Sequence, residues 1–206
     1  MNHPRSAFGA PPQGGDTGGP AKPDPRCPLG GCAVFDTAIG TCGIAWGEHG
    51  LTGVWLPEAN EEALRARMRR RLPGSREAVP PSAVQRAIDD IGALLRGEPR
   101  DLLDVPLDMA HVPAFHRRVY EIARHIAPGA TLSYGEVAQR LGEPGAARAV
   151  GQALGRNPFP IVVPCHRVLA AHAQAGGFSA PGGIATKLTL LTIERARFGG
   201  EPGLFD

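Results

Sequence analysis

Apolar positions along this chain follow a short alternating pattern near its start and a helical one further on. From Val34 to Leu56 they form two runs, Val34, Phe35, Ile39, Cys42, Ile44 and Trp46, then Leu51, Val54, Trp55 and Leu56. Between them lies Gly47-Glu48-His49-Gly50, and Pro57 follows, so this stretch predicts a strand pair with a stop behind it. Asn60 is placed to cap a helix over 61–72, whose acids come first and arginines last, as the helix dipole favours. A second helix is expected over 82–96, with Val84, Ala87, Ile88, Ile91, Leu94 and Leu95 on one face and Gly97 near its end. Short extended segments over 102–107 lead out of this half.

The second half reads as helical. Pro113 suits a first helical turn, and Phe115, Val119, Ile122 and Ile126 make one stripe as far as Pro128-Gly129. Ser133 and Glu136 have capping-box spacing, ahead of Tyr134, Val137, Ala138 and Leu141 at helical intervals and a stop at Gly142. After Glu143-Pro144 a further helix buries Ala146, Ala149, Val150, Ala153 and Leu154. Two short helices joined by a tight Gly-containing turn have the form of a helix-turn-helix. The opposite face of the second carries Ala147, Arg148, Gly151, Gln152 and Gly155, small enough to approach a nucleic-acid groove closely, with Arg148 projecting. The same pattern also suits helix-on-helix packing through small residues.

Composition adds a tail and a charge bias. Residues 1–26 are rich in Gly and Pro and poor in large apolar groups, which predicts a flexible tail. No apolar run reaches membrane-span length and no secretory segment opens the chain, so a soluble, cytoplasmic protein is expected. Net charge is +2. From His111 onward there are ten Lys/Arg against six Asp/Glu, which directs any polyanion to the second half.

Chemistry concentrates at Pro164-Cys165-His166-Arg167-Val168, directly after the apolar run Ile161-Val162-Val163. That run predicts a short buried strand with the thiol at its exit, beside an imidazole that favours thiolate formation. A buried structural Cys with a chance His beside it is the competing reading. Asn157-Pro158 closes the second helix eight residues before Cys165, so the putative groove-reading helix and the thiol share one short segment.

Ser133-Tyr134-Gly135, Arg148-Ala149-Val150-Gly151, Asn157-Pro158, Pro164 to Val168, Gly177-Phe178-Ser179 and Lys187 through Leu190-Leu191 to Glu194 resemble the O6-alkylguanine-DNA alkyltransferases, the methylated-DNA–protein-cysteine methyltransferases. The resemblance runs in order from about Pro113 to Glu194. It implies an α+β protein: a small N-terminal α/β domain, ribonuclease H-like, over 27–110, then a mainly helical domain over 111–206 with a winged-helix-like helix-turn-helix. The first half matches that layout only in outline. It further implies a monomer that binds double-stranded DNA carrying O6-alkylguanine and moves the alkyl group irreversibly to a Cys sulfur, with O4-alkylthymine as a further possible substrate. A thioether is a poor leaving group, so no cofactor is expected.

Carried across residue by residue, the resemblance makes Cys165 the nucleophile, His166 the base acting through a water, and Glu194 the acid that orients it. Asn157 corresponds to a hinge, Tyr134 to the phenol that meets the flipped guanine, and Arg148 to the side chain filling the gap left in the duplex. Ala147, Gly151, Gln152 and Ser133 fall at the DNA surface. Phe178 and Ser179 lie on the pocket loop, and carbonyls near Cys165 and Val168 would accept from the guanine amine. Two extra residues, within 171–175 or 180–183, are expected to lengthen that loop. Some relatives bind zinc in the first half, but Cys27, Cys32, Cys42 and His49 lack a second paired-ligand motif, so no metal is expected. Three other readings compete: a non-repairing alkyltransferase-like protein, which would lack the Cys, a helix-turn-helix transcription regulator, and a Cys-His hydrolase.

Overall fold

The computed structural model describes residues 30–171 and 177–198; the expected tail, Cys27 and most of 171–175 lie outside them. The first half opens with an antiparallel meander of three strands, β1 (Gly31–Thr37), β2 (Gly40–Gly47) and β3 (Gly50–Trp55), in the order β1-β2-β3. The expected strand pair is therefore a triplet. Ala38-Ile39 forms a tight turn that Gly40 completes at φ 116°, and Thr37 Oγ1 donates to the Gly40 carbonyl. A glycine tolerates that dihedral without steric cost, and the apolar run through Ile39 hid the turn. The turn at 47–50 is where the sequence placed it.

Helix α1 (Glu61–Arg71) begins at Asn60, whose side chain accepts from the Ala63 amide at 2.9 Å. Helix α2 (Ser82–Leu95) buries Val84, Ala87, Ile91, Leu94 and Leu95. The stretch expected to be extended over 102–107 is mostly turn, and only Leu107 bridges to Leu51. Leu102 takes φ 57° there while its side chain is buried, and Arg124 gathers the carbonyls of Leu102, Leu103 and Val105.

Helix α3 (Ala114–Arg124) starts after Pro113, which occupies the capping position with φ −55° and ψ 145° and not the first turn. The helix also ends before Ile126, which is buried in the loop beyond it. The two-residue strand β4 (Leu132–Ser133) leads into α4 (Tyr134–Arg140), where Ser133 and Glu136 form both halves of the capping box. Leu141–Ala146 then turns the chain into α5 (Ala147–Gly155), with Gly142 at φ 77°. Tyr120 Oη ties α3 to α5 by donating to the Ala153 carbonyl at 2.9 Å. Strand β5 (Val168–Leu169) pairs in parallel with β4, and α6 (Gly183–Ile193) closes the described chain.

One cluster of buried residues spans both halves, joining Ile44, Leu51, Val54 and Ile91 to Val119, Val150, Val163 and Cys165. The Val54 amide also donates to the Pro158 carbonyl at 2.9 Å. The backbone of β3 thereby holds the segment that leaves α5. Among the described residues no helix is long and apolar enough to cross a membrane.

Candidate active site

The run Ile161-Val162-Val163 does not form the expected strand. Pro160 and Val163 bridge each other across a tight turn, with Ile161 at φ 75°. A β-branched residue pays a steric penalty in that region, and burial of Ile161, Val162 and Val163 holds the turn closed. Its amide partners are specific. Asn157 Nδ2 donates to the Val163 carbonyl at 2.8 Å, Asn157 Oδ1 accepts from the Phe159 amide at 2.9 Å, and the Cys165 amide donates to Val163. One side chain thus spans the whole turn from the end of α5 to the residue before Pro164. Cys165 then begins a single 3-10 turn (Cys165–Arg167).

Cys165 is 9% exposed. Burial pushes its thiol up, and the Asn157 amide and the Lys187 charge pull against that rise. The thiol therefore rests protonated at neutral pH and requires a base.

His166 is fully enclosed, and its Nε2 lies 2.9 Å from Glu194 Oε1. Arg167 grips the same carboxylate from a second side, Nε to Oε2 and Nη2 to Oε1, each at 2.8 Å, while its Nη1 donates to the Ile126 carbonyl. Burial alone would raise the Glu194 carboxyl. The hydrogen bonds from His166 and Arg167, with their charges, outweigh it and hold the group at about 2. An ionised acceptor fixes the proton of His166 on Nε2. Nδ1 is left with its lone pair, buried and without a hydrogen-bond partner. Burial also lowers the imidazole's affinity for a second proton, against the pull of Glu194, so the ring is neutral at pH 7. A neutral imidazole next to a protonated thiol can take its proton.

Lys187 was quoted in the sequence pattern without a role, and Arg167 likewise. Both are buried. Lys187 Nζ donates to the Val168 carbonyl at 2.7 Å and lies 5.8 Å from the centre of the Tyr134 ring. Burial lowers its ammonium to about 8, opposed by Cys165. The expected acceptor at Val168 is thus already engaged through one lone pair, and the second remains available. Their only signal in the sequence was a basic residue inside an apolar stretch, which also describes ordinary surface positions.

Tyr134 opens α4, half-buried, with its phenol raised first by burial and then by proximity to Cys165. A Cβ added at Gly151 would meet its ring at 3.8 Å, which places α5 against the start of α4. Arg148 and Gln152 are exposed on α5, Ala147 and Gly151 half-buried beside them. Ser133 is committed to the capping box.

Phe178 and Ser179 line a pocket of about 340 Å³ together with Asn157 and Cys165, whereas Tyr134 and Val168 fall outside its lining. Ser179 Oγ donates to the Gly155 carbonyl at 2.9 Å, pinning the pocket loop to the last residue of α5. The loop's expected lengthening falls partly on 172–175, outside the described residues.

Cys32 and Cys42 cannot share a metal. In the β1–β2 register Cys42 opposes Phe35, three residues from Cys32, so the two thiols point to opposite faces of the sheet and enter different buried clusters. Among the described residues no three His, Cys, Asp or Glu side chains converge as a metal site.

A buried thiol beside an imidazole–carboxylate pair, reached directly from the second helix of a helix-turn-helix, defines a protein with a nucleophilic cysteine set against a groove-sized helical surface. Residues 114–196 match the family model described as "6-O-methylguanine DNA methyltransferase, DNA binding domain". A methylated-DNA–protein-cysteine methyltransferase of Mycobacterium leprae is 36% identical over 85% of this chain and 98% of its own. One from Methanothermobacter thermautotrophicus is 35% identical over 77% and 82%. The crystal structure of Mycobacterium tuberculosis OGT in complex with DNA superposes with a TM-score of 0.65 at 36% identity, covering 80% of this chain and 92% of that one. The chain belongs to the methylated-DNA–protein-cysteine methyltransferase family.

Proposed function

We propose that Cys165 is the acceptor in a stoichiometric repair reaction in which the alkyl group of an O6-alkylguanine in double-stranded DNA passes to its sulfur. DNA repair by alkyl transfer is the activity of this family, and DNA is its partner. The observation that carries the residue assignment is the arrangement around His166. Nε2 is committed to an ionised Glu194, and Nδ1 is the one ring nitrogen with a free lone pair. His166 then removes the thiol proton, directly or through one water, Glu194 stabilises the resulting imidazolium, and Arg167 keeps Glu194 ionised. The thiolate attacks the alkyl carbon, the C–O6 bond breaks, and the purine takes a proton with Tyr134 as its donor. The thioether product has no route back to the thiol, and each molecule reacts once.

The helix-turn-helix of α4 and α5 presents Arg148, Gln152, Ala147 and Gly151 to the duplex, and Arg148 fills the space vacated by the extruded nucleotide. Phe178 packs on the base, with the Ser179 backbone near O6. The α+β layout supports a ribonuclease H-like first unit over 27–110 and a winged-helix-like second over 111–206, acting as a monomer in the cytoplasm. Intact-protein mass spectrometry after incubation with an O6-methylguanine duplex tests the reaction. A gain of one methyl mapped to Cys165, absent in Cys165→Ala, is expected; methyl on another residue, or none, rejects the assignment.

A further inference from the structure

The pocket that contains Cys165 extends well beyond the sulfur, to β3 and α1 of the first half. Its titratable lining consists of Arg67, Arg71, Arg156 and Cys165, with no Asp or Glu. Arg67 is neutralised by Glu58. Arg71, at the last position of α1, and Arg156, which caps α5 next to Asn157, have no carboxylate partner among the described residues. Two unneutralised guanidinium groups, contributed by separate halves of the chain, therefore share one concavity with the nucleophile. Apolar neighbours such as Leu56, Leu72 and Phe178 line the space around them.

We infer that Arg71 and Arg156 form a subsite for O6-alkyl groups that end in a carboxylate. This rests on the alkyl-transfer reading above. Such a group places an anion one bond from the carbon under attack, where it repels an incoming thiolate. A guanidinium fork pairs with a carboxylate in bidentate geometry and cancels that repulsion. The reaction balances as for a neutral group: the sulfur–carbon bond forms, the C–O6 bond breaks with its electrons going to the base, and the proton first taken from the thiol is made good on guanine. The product is S-carboxymethyl Cys165. A backbone phosphate is the other source of anionic oxygen, but a duplex rides across exposed surface, whereas these arginines line the cavity that holds the sulfur.

Single-turnover rates on duplexes carrying O6-carboxymethylguanine, its neutral isostere O6-carbamoylmethylguanine, and O6-methylguanine test the subsite in wild type, Arg71→Gln and Arg156→Gln. Each variant should lower the carboxymethyl-to-carbamoylmethyl rate ratio about tenfold, the scale of one charge-assisted contact, and leave methyl transfer within about twofold. The same ratio measured on the free modified bases, which carry no phosphate, should fall alike. A ratio unchanged in both variants overturns the subsite. Equal loss on all three duplexes, with no loss on free bases, identifies a phosphate contact and also overturns it. Absence of methyl transfer by the wild-type protein sinks the alkyl-transfer reading itself.

Discussion

His166 is adjacent to Cys165 in sequence, but the geometry that makes it a base comes from Glu194, twenty-eight positions away. A sequence motif can name such a carboxylate only through family resemblance, because a Glu at the end of a helix is otherwise an ordinary surface residue. Burial and the two hydrogen-bonded cations settle its state at about 2 against an ordinary 4.5. The folded carboxyl is thus more acidic than the unfolded one. Its contribution, on the order of 3 kcal/mol, is fully present above about 4.5 and is lost as pH falls toward 2. Glu194→Gln should cost roughly 3 to 5 kcal/mol at neutral pH, since it leaves Arg167 buried without a counter-charge, and the gap from wild type should narrow below pH 4.5 in urea titrations. For His166→Ala, the pH at which Cys165 becomes reactive toward iodoacetamide should move upward, because burial raises the thiol and the base that offsets this is gone. An unchanged profile would remove His166 from the relay.

Helices with strong local signals were legible as elements. Asn60 capping α1, the Ser133–Glu136 box of α4 and the apolar face of α2 are all where side-chain spacing placed them. The errors fall where tertiary contacts override local pattern: Ile39 sits in a turn, and Ile161-Val162 bend sharply although β-branched residues favour strands. Asn157, by bonding both limbs of that second turn, supplies what the local sequence lacks. Removing the cap with Ser133→Ala should destabilise α4 by about 1 kcal/mol and slow repair further, since Tyr134 is the helix's first residue. Calorimetry and single-turnover kinetics on the same variant separate the two effects. On α5, Arg148→Ala should slow repair of duplex O6-methylguanine by about one to two orders of magnitude, about 1.4 to 2.7 kcal/mol, without changing reaction at the free base O6-benzylguanine. Equal losses on both substrates would assign Arg148 to the pocket instead of to base extrusion.

Across the whole molecule, the first half contributes no group to the proposed relay, and its own sequence showed only an α+β outline. Its importance lies in contacts that link distant positions: the core shared with α3 and α5, and the Val54 amide on Pro158. Unfolding should accordingly be a single transition reported alike by Trp fluorescence from β2 and β3 and by circular dichroism of the helical half. Two separable transitions would show that the halves are independent. The same shared core bears on what happens after repair. Cys165 belongs to the tightly packed cluster common to both halves. A methyl added there is overpacking, which costs typically 1–3 kcal/mol in a close-packed interior. For a chain of this length each kcal/mol lowers the melting temperature by roughly 2 to 4 °C. A molecule that has removed one lesion thus carries the record as internal pressure, and differential scanning of methylated against unreacted protein would distinguish spent copies from fresh ones with no assay of DNA at all.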